Sequence, residues 1–434
     1  MIKDRDLKVL KQVLETIHPV DLVEMVERFE KRHIVLIFKL LSKEDAAEMF
    51  THMNSEMQEE LIHALNAEEI KEVMEELYLD DAVDILEEMP ANVVDKLLAA
   101  TDEYTRERIN ELLNYPEDSA GSIMNVEYIT LRKEWTVEEA IKKIRQIGIN
   151  KETIYTCYIT EKRHLLGSVM LMDLLSSEDT KKISEIMDNN VITVHTHDNQ
   201  EDVAKRTKRY GMMAIPVVDQ EHCMVGIVTV DDAILVLQEE ATEDINLMAA
   251  VLPSEDTYFA TSVWRHASNR IPWLLFLMFS ATITGLILTY YDPIIGVMPI
   301  LVSCIPMIMG TGGNCGSQSS SLVIRGLAID EIELEDWWKV LSKEIQVSLL
   351  VGGVLAIINI LRVMLLYRDW ILAFVISISL ILTILVSKLI GASLPLLAKK
   401  LKLDPTIMAA PLITTLVDSG SMFILFQIST IMYL

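Results

Sequence analysis

An acidic residue lies in the middle of the last apolar stretch of the chain. Asp418 has no charged neighbour in residues 405–417 or in residues 419–434. A run of this length and composition predicts a membrane-spanning helix. An ionisable side chain at mid-bilayer depth is costly unless it faces water, a partner or an ion. Because the run has no Lys or Arg to pair with Asp418, the sequence favours an ion over a protonated carboxyl group buried in a helix bundle.

A second candidate for ion contact is the polar sequence MGTGGNCGSQS at residues 309–319, inside another uncharged stretch. Small residues and an asparagine are incompatible with a smooth lipid-facing helix, so we expect irregular backbone that is buried or lines a watery path. Backbone carbonyls, including those of Gly312 and Gly313, and the side chains of Asn314 and Gln318 are oxygen donors suited to a hard or hydrated cation. Close helix packing through small residues is the alternative.

Carboxylates also gather at two places outside the apolar runs. Asp80 and Asp84 are four residues apart, which places two like charges on one helix face. A helical stretch at residues 231–245 gathers acids towards its end, where they oppose the helix dipole. Both arrangements fit either a solvated acidic face or a bound divalent cation.

The charge is very unevenly spread over the 434 residues, which leave room for roughly two to four domains. Residues 261–434 hold 11 Lys and Arg against 10 Asp and Glu, so nearly all of the net charge of −26 belongs to residues 1–260. An acidic half of this kind argues against nucleic acid or an anionic membrane surface as a partner and favours cations.

The cysteines and the N-terminus bear on the cellular compartment. Cys157, Cys223, Cys304 and Cys315 form neither a CxxC pair nor a zinc-ligand spacing, so we expect reduced packing residues in a cytosol-facing protein. The N-terminal sequence MIKDRD is highly charged and lacks an apolar core, so no cleaved secretory signal is expected.

The first domain, residues 1–118, is predicted to be helical throughout because its apolar residues recur at helical spacing. Glu44–Glu48 matches Asp80–Asp84 at an offset of 36 residues, so this acidic segment repeats. Short repeats of helix pairs stack on one another because no single pair buries its own apolar face.

The second domain, residues 119–235, holds two copies of about 60 residues in which helices alternate with strand-like runs. LGSVM at 166–170 in the first copy matches VGIVT at 225–229 in the second. The two copies resemble a tandem pair of CBS domains, a regulatory module that senses a nucleotide or an ion. The resemblance implies that Thr229 and Asp232 hold the ribose and phosphate of an adenine nucleotide such as ATP, whereas Met170 replaces the corresponding Thr in the first copy.

A connecting segment, residues 236–268, leads to a membrane domain, residues 269–434. Five uncharged or nearly uncharged runs there predict five transmembrane helices; they are 271–291, 293–324, 345–361, 370–387 and the run that contains Asp418. Lys and Arg are concentrated in the connections after the second and fourth runs, which places the N-terminal half in the cytosol and Leu434 outside. The fold class is therefore a multi-domain membrane protein with an all-α repeat domain, an α/β CBS pair, a connecting helix and a five-helix transmembrane bundle.

This order of domains, together with GTGGNCGSQSSSLVIRGLA at 310–328 and DPTIMAAPLITTLVD at 404–418, resembles the MgtE family of magnesium channels and transporters. The resemblance implies a multi-pass homodimer in the cell (inner) membrane with a pore on the dimer axis. Asp418 matches the pore acid of the family, which would hold hydrated Mg²⁺. It also implies that cytosolic Mg²⁺ closes the pore by bridging the helical domain, the CBS pair and the connecting ("plug") helix.

Carried over position by position, the resemblance assigns the regulatory Mg²⁺ ligands to seven acids: Asp80, Asp84, Glu201, Asp232, Glu240, Glu243 and Asp244. Asn199, Gly211 and Leu235 stand where the family pattern has Asp, so the Mg²⁺ sensitivity of the gate is expected to differ. Ser317 replaces an Asn that is common beside the filter.

Other functions remain as alternatives. Membrane metalloproteases also carry CBS pairs, but none of the nine His residues is followed by Glu and no Walker A sequence is present, so an enzyme is not expected. A CBS-regulated anion channel needs basic residues or helix N-termini at its pore, which Asp418 opposes. Transport of Co²⁺ or Zn²⁺ by the same fold is the closest alternative, although the absence of His and thiolate clusters favours a hard cation.

Overall fold

The computed structural model of the protein describes residues 7–26, 29–148, 151–254, 258–259, 261–408 and 410–433. They form two compact units, Met1–Gln238 and Glu239–Leu434. The predictions about the N-terminal residues and about the side of the membrane that Leu434 faces concern positions outside the described residues.

The first unit begins with short helices that pack in alternation, α2 on α4, α4 on α6 and α6 on α8, as expected for stacked helix pairs. Their bounds are Leu7–Leu14 (α1), Pro19–Val26 (α2), Lys31–Phe38 (α3), Lys43–Thr51 (α4), Ser55–Ala64 (α5), Ala67–Glu76 (α6), Leu79–Glu88 (α7), Ala91–Ala100 (α8) and Glu103–Leu112 (α9). Side-chain caps fix several N-termini; Asn66 and Glu69, for example, form a reciprocal capping box on α6.

Two small sheets of the same design follow. The elements are Thr130–Leu131 (β1), Val137–Ile147 (α10), Thr156–Glu161 (β2), His164–Met170 (β3), Leu171–Ser176 (α11), Ile183–Ile186 (α12), Val194–His195 (β4), Gln200–Tyr210 (α13), Ala214–Val218 (β5) and Met224–Thr229 (β6). In each sheet the first strand is parallel to the second and the second antiparallel to the third, in the orders β1-β2-β3 and β4-β5-β6. This repetition confirms the predicted pair of α/β copies.

A long helix leaves the second copy directly from its last strand. This helix, α14, spans Val230–Met248, so it begins in the first unit and ends in the second. The predicted boundary at residues 235/236 therefore falls inside a helix. The helical part of the predicted connecting segment ends at Met248. Residues 249–254 are not helical, and a short helix, Val263–Ser268 (α15), lies further along the chain.

The second unit is built from long helices that pack side by side. They are Ile271–Tyr290 (α16), Ile300–Ala328 (α18), Trp337–Leu366 (α19), Trp370–Lys400 (α20) and Ala410–Tyr433 (α21), with the short helices Asp292–Val297 (α17), Leu334–Asp336 and Pro405–Met408 between them. The helix α20 packs on α18, α19 and α21, and α18 also packs on α21.

Among the residues that the structure describes, four helical stretches are long and apolar enough to cross a membrane. They are Val263–Tyr290, Leu334–Leu366, Trp370–Lys400 and Pro405–Tyr433. The fifth long helix, α18, has 29 residues but contains many Gly, Ser and Thr residues, which lower its hydropathy. Helices were found for all five predicted runs, and a membrane crossing by all five remains a prediction.

The prediction of irregular backbone at residues 309–319 is wrong. Residues 300–328 form one continuous α-helix, which satisfies its own backbone hydrogen bonds as a membrane requires. The small residues instead permit close contact: a Cβ on Gly312 would lie 2.7 Å from Thr383 Cγ2 and 2.8 Å from Val417 Cγ1. Close helix packing, the alternative given above, explains these residues.

At a close contact between α18 and α20, one added methyl group should strongly destabilise the bundle. A Cβ on Gly391 of α20 would overlap the backbone carbonyl oxygen of Gly316 on α18. Gly391→Ala should therefore destabilise the bundle by about 1–3 kcal/mol or more, as overpacking does elsewhere. Thermal unfolding of the full chain in detergent measures this cost. Gly353→Ala on α19 is the control because its Cβ would meet no atom within 4 Å, and equal melting temperatures for the two variants would contradict the prediction.

Candidate ion-conduction and ion-sensing sites

Asp418 lies near the middle of α21 and is half-buried in the single chain. Its neighbours anchor the helix: Ser419 Oγ is 2.9 Å from Thr284 Oγ1 of α16, and Ser421 Oγ donates to the backbone oxygen of Asp418. Among the described residues no basic side chain forms an ion pair with Asp418. The role of Asp418 in ion binding stays a prediction.

The helix α18 has two faces of different character. Asn314 and Gln318 are exposed and one turn apart, so they lie on the same side of the helix. Gly310, Ser321 and Arg325 are exposed on that side as well. Polar side chains on a helix of a membrane bundle are stable where they face water, protein or an ion rather than lipid. This polar face, defined by these five residues, is a candidate wall of a hydrated path.

The predicted ion contacts of Gly312 and Gly313 need correction. Both residues are buried, and a Cβ on Gly313 would lie 3.0 Å from Thr414 Cγ2 of α21. The oxygen of Gly312 accepts a hydrogen bond from Ser387 of α20. Because both lie within a continuous helix, their carbonyl groups belong to its backbone ladder, and we assign them to helix packing rather than to ion contact.

A cluster of acids lies in the first unit, where the helical repeats meet the CBS pair. Asn125 is fully buried, and its Nδ2 donates to Asp80 Oδ1 at 3.1 Å and to Glu152 Oε2 at 3.1 Å. Antiparallel backbone hydrogen bonds of 2.8 Å to Ile227 of β6 hold Asn125 in place. One amide group thus joins a carboxylate of the repeat domain to a carboxylate of the first CBS copy.

The electrostatics of this cluster are unfavourable when every acid is ionised. Burial raises the pKa of Glu152 to about 7 and that of Asp81 to about 6, and repulsion from Asp232 and Asp231 adds to both shifts. Burial and the charges of Asp81, Asp232 and Glu152 raise the pKa of Asp80 well above its usual value. Within the described ranges, none of these five acids, which we call the junction cluster, forms an ion pair with Lys or Arg.

The junction cluster can be neutralised by protons or by a cation. Carboxylate and amide oxygens are the ligands that Mg²⁺ uses in proteins, and this ion retains several of its waters. In the part of the chain that the structure describes, no three His, Cys, Asp or Glu side chains are close enough together to enclose a metal ion. Two of the predicted ligands, Asp80 and Asp232, belong to the junction cluster, whose carboxylates would contact a divalent ion through its water shell.

Other predicted ligands lie outside the junction cluster. Asp84 is exposed on α7, one turn after Asp80. Glu201 is in the first turn of α13, and its carboxylate is 2.6 Å from Lys205 Nζ. Glu240, Glu243 and Asp244 lie on the last part of α14. Their role as regulatory ligands stays a prediction.

Two of the residues predicted to stand in place of family acids have structural roles. Asn199 caps α13 by accepting a hydrogen bond from the backbone nitrogen of Glu201 at 2.9 Å. Gly211 ends the same helix in the left-handed conformation, with φ of 62°, which favours glycine. Leu235 is exposed on α14, and nothing in the structure explains its replacement of an acid.

The predicted nucleotide contacts lie at the end of β6 and the start of α14. Thr229 Oγ1 donates to the carboxylate of Asp232, and Thr229 is buried. In the first copy, Met170 is exposed at the equivalent strand end. All four cysteines are free thiols, with Cys157, Cys304 and Cys315 buried, as expected for reduced packing residues.

Sequence reasoning missed Asp81, Asn125, Glu152 and Asp231 as members of the junction. Asp81 and Asp231 lie next to residues that the sequence did single out, and that proximity was the available signal. Asn125 and Glu152 are distant in sequence from Asp80, and nothing in their local sequence distinguishes them from surface polar residues.

Comparison with known proteins agrees with this architecture. The model of the MgtE divalent cation transporter family matches residues 305–428, that of the MgtE intracellular N domain matches 17–118, and that of the CBS domain matches 120–178 and 183–239. The chain is 36% identical to the magnesium transporter MgtE of Thermus thermophilus, over 99% of this chain and 96% of that protein. It is 31% identical to the Bacillus subtilis protein of the same name, over 99% of this chain and 95% of that protein.

Solved structures give the same result for the first unit. A crystal structure of the cytosolic domain of the Mg²⁺ channel MgtE in complex with ATP is similar, with a TM-score of 0.52 and 37% identity over 54% of this chain and 96% of that chain. The soluble part of a magnesium transporter has the same TM-score, with 29% identity over 55% of this chain and 94% of that chain. Members of this family are transporters and not enzymes. With its helical repeats, CBS pair and apolar helices in the matching order, the chain belongs to the MgtE family of divalent cation transporters.

Proposed function

We propose that the protein is a Mg²⁺-selective channel or transporter for magnesium uptake that cytosolic Mg²⁺ closes. The junction cluster carries the proposal, because its five acids repel one another and lack basic partners among the described residues. A divalent cation that binds these carboxylates stabilises the arrangement in which the repeat domain rests on the CBS pair. Such a cation biases gating by its difference in affinity for the closed and open forms.

The conduction path is proposed to lie between two copies of the chain. In a single chain the polar face of α18 is exposed, although it belongs to a membrane bundle, and a second copy offers the same face across a two-fold axis. Two Asp418 carboxylates then face one hydrated Mg²⁺ from opposite sides, which suits an ion that keeps its waters and uses one or two carboxylates. Asn314 and Gln318 supply neutral oxygen contacts along the wall.

Regulatory ligands are proposed in two groups. Asp80 and Asp232 belong to the junction cluster, which the structure extends with Asp81, Glu152 and Asp231. The second group of proposed ligands consists of Asp84, Glu201, Glu240, Glu243 and Asp244. In this proposal the plug is the acidic last part of α14. Cations bound there would reduce the repulsion between the acids near that helix end.

An adenine nucleotide is proposed as a second ligand of the CBS pair. The similar cytosolic domain with 37% identity was solved in complex with ATP, and Thr229 and Asp232 take the place of the motif residues here. Since Asp232 belongs to the junction cluster as well, nucleotide and cation are expected to influence each other's binding.

Ion flux into proteoliposomes tests the function directly. We expect uptake of Mg²⁺ that falls at least about tenfold when the cytosolic face is brought from nominally zero to millimolar Mg²⁺, because ion binding to the junction cluster favours the closed form. Parallel assays with Co²⁺ and Zn²⁺ test the alternative substrates. Equal or faster uptake of Co²⁺ or Zn²⁺ would reject Mg²⁺ selectivity, and uptake that is indifferent to cytosolic Mg²⁺ would reject the feedback.

A further inference from the structure

A buried ion pair joins three helices of the bundle behind the polar face of α18. Lys388 of α20 is 4% exposed, and its Nζ is 3.5 Å from Glu344 Oε2 of α19. Ser319 of α18 is fully buried between them, donates to Glu344 Oε2 at 2.6 Å and accepts from Lys388 Nζ at 3.1 Å. Neither the conduction path nor the sensing site proposed above uses these residues, which we call the clamp triad. Ionisable residues inside a membrane bundle are costly and therefore require a functional explanation.

The triad holds the side of α18 that is opposite to the polar face. At 100° per residue, Ser319 lies about 140° around the helix from Asn314, and Gly312 lies about 160° from it. Gly312 and Gly316 pack closely on the neighbouring helices, and Ser387, next to Lys388, donates to the oxygen of Gly312. Over residues 312–319, the back of α18 carries two glycines, Cys315 and Ser319, and the buried apolar residues Ile308 and Val323 lie before and after this stretch.

Glycines permit close approach but define rotation poorly, because a surface without side chains has no ridges to interlock. Along residues 312–319, the directional contacts of Ser319 and Ser387 supply the rotational constraint that the glycines lack. A rotation of α18 about its own axis would carry Asn314 and Gln318 away from the path and would at the same time break both contacts of Ser319. The rotational setting of the polar face and the integrity of the triad are therefore linked.

We propose that Lys388 and Glu344, acting through Ser319, are positioning residues that fix the rotation of α18 and thereby set the ion selectivity of the path. The proposal rests on the conduction path proposed above. Ion selectivity should respond most strongly to a rotation of α18. The path distinguishes one hydrated divalent ion from another by the positions of a few oxygen contacts. Buried ionic groups that specify one arrangement among several similar ones are known in other helical assemblies.

The decisive variant removes both charges together. Glu344→Leu/Lys388→Met leaves no unpaired buried charge, so the bundle is expected to fold, whereas either single change leaves one buried charge without its partner. We expect the double variant to carry ions but to lose discrimination, with the ratio of Mg²⁺ to Ca²⁺ flux falling about tenfold. The exchanged pair, Glu344→Lys/Lys388→Glu, is expected to recover most of the ratio, since Ser319 can still bridge the two groups.

A matched control separates positioning from a general loss of a buried contact. Ser377 of α20 is also buried, and its hydrogen bonds go to α19: it accepts from Asn359 Nδ2 at 2.9 Å and donates to the backbone oxygen of Ala356 at 3.3 Å. Ser377→Ala should leave the flux ratio within about twofold of the wild-type value. Size-exclusion profiles and melting temperatures establish that each variant is folded before its flux is compared.

A labelling experiment tests the rotation of α18 without relying on transport. With Gln318→Cys in each background, modification by a membrane-impermeant thiol reagent is followed at that peptide by mass spectrometry. The double variant is expected to slow this modification at least about fivefold, and the Ser377→Ala control to leave it unchanged. A folded double variant with unchanged labelling and an unchanged flux ratio would overturn the proposal. If the wild type carries no Mg²⁺, the proposed function fails, while the labelling rates still decide whether the triad positions the helix.

Discussion

Asp418→Asn is expected to reduce Mg²⁺ uptake at least about 100-fold while the protein remains folded. The change keeps the size and hydrogen-bonding shape of the side chain and removes only its charge. Two opposite unit charges 4 Å apart attract each other by about 4 kcal/mol at an effective dielectric constant of 20. Replacing the Asp418 carboxylate of either protomer by an amide removes an attraction of this order for each of the two charges of Mg²⁺. Uncharged groups on the polar face cannot replace an interaction of that size.

The comparison with Asp418→Glu and Asp418→Ala divides charge from shape. Glutamate keeps the charge and should retain part of the flux, whereas alanine should be as inactive as asparagine. Glu335→Gln, at an exposed acid outside the long helices, is the control for a general effect of one lost charge. Flux of wild-type size in folded Asp418→Asn would show that the ion path does not pass Asp418, and it would leave the family assignment intact.

Sequence reasoning could single out candidate conduction residues but did not predict the backbone of α18. Asp418, Asn314 and Gln318 were identifiable because polar groups are conspicuous in apolar runs. The prediction of irregular backbone at residues 309–319 was wrong. Glycines in a membrane helix retain the helical hydrogen bonds, because no water competes for the backbone groups. Which neighbours the glycines touch depends on packing with α20 and α21, and local composition does not determine that.

Interactions that join distant parts of the chain were not predictable. Asp80 and Glu152 meet through Asn125 only because the repeat domain lies against the CBS pair, an arrangement without a local signature. Lys388 was visible as a charge near the end of an apolar run, but its partners come from two other helices. By contrast, the repeats of both cytosolic domains were readable because repetition is a property of the sequence itself.

The junction cluster leads to the second large effect, a change in how Mg²⁺ and pH act on the protein. Burial raises the pKa values of Asp80, Asp81, Glu152 and Asp232 in the folded protein. Between the pKa values of the unfolded and the folded state, the folded state therefore binds more protons than the unfolded state. Stability from this source is therefore greatest below about pH 4 and falls as the pH rises through about 6 for Asp81 and about 7 for Glu152. At neutral pH, Mg²⁺ should restore it by binding the ionised carboxylates.

The effect of Glu152→Gln on the stability of the protein should change sign when Mg²⁺ is added. Without the ion at pH 7.5, the variant removes one repelling charge and should be more stable than the wild type by about 1 kcal/mol, which raises the melting temperature by a few degrees. In millimolar Mg²⁺ the wild type gains a ligand that the variant lacks, so the difference should vanish or change sign. Thermal unfolding of the full chain in detergent at several Mg²⁺ concentrations measures both arms.

The same substitution should weaken feedback on transport. Suppression of uptake by cytosolic Mg²⁺ depends on the ion favouring the docked arrangement more than the undocked one, and Glu152→Gln makes docking less dependent on the ion. The ratio of uptake at low and at millimolar Mg²⁺ should fall several-fold, and adding Asp81→Asn should lower it further. Glu178→Gln removes the same charge from an exposed position of the first CBS copy and should change neither the ratio nor the stability difference. If Glu178→Gln and Glu152→Gln behaved alike, the effect would come from overall charge, and the junction cluster would not be the sensor.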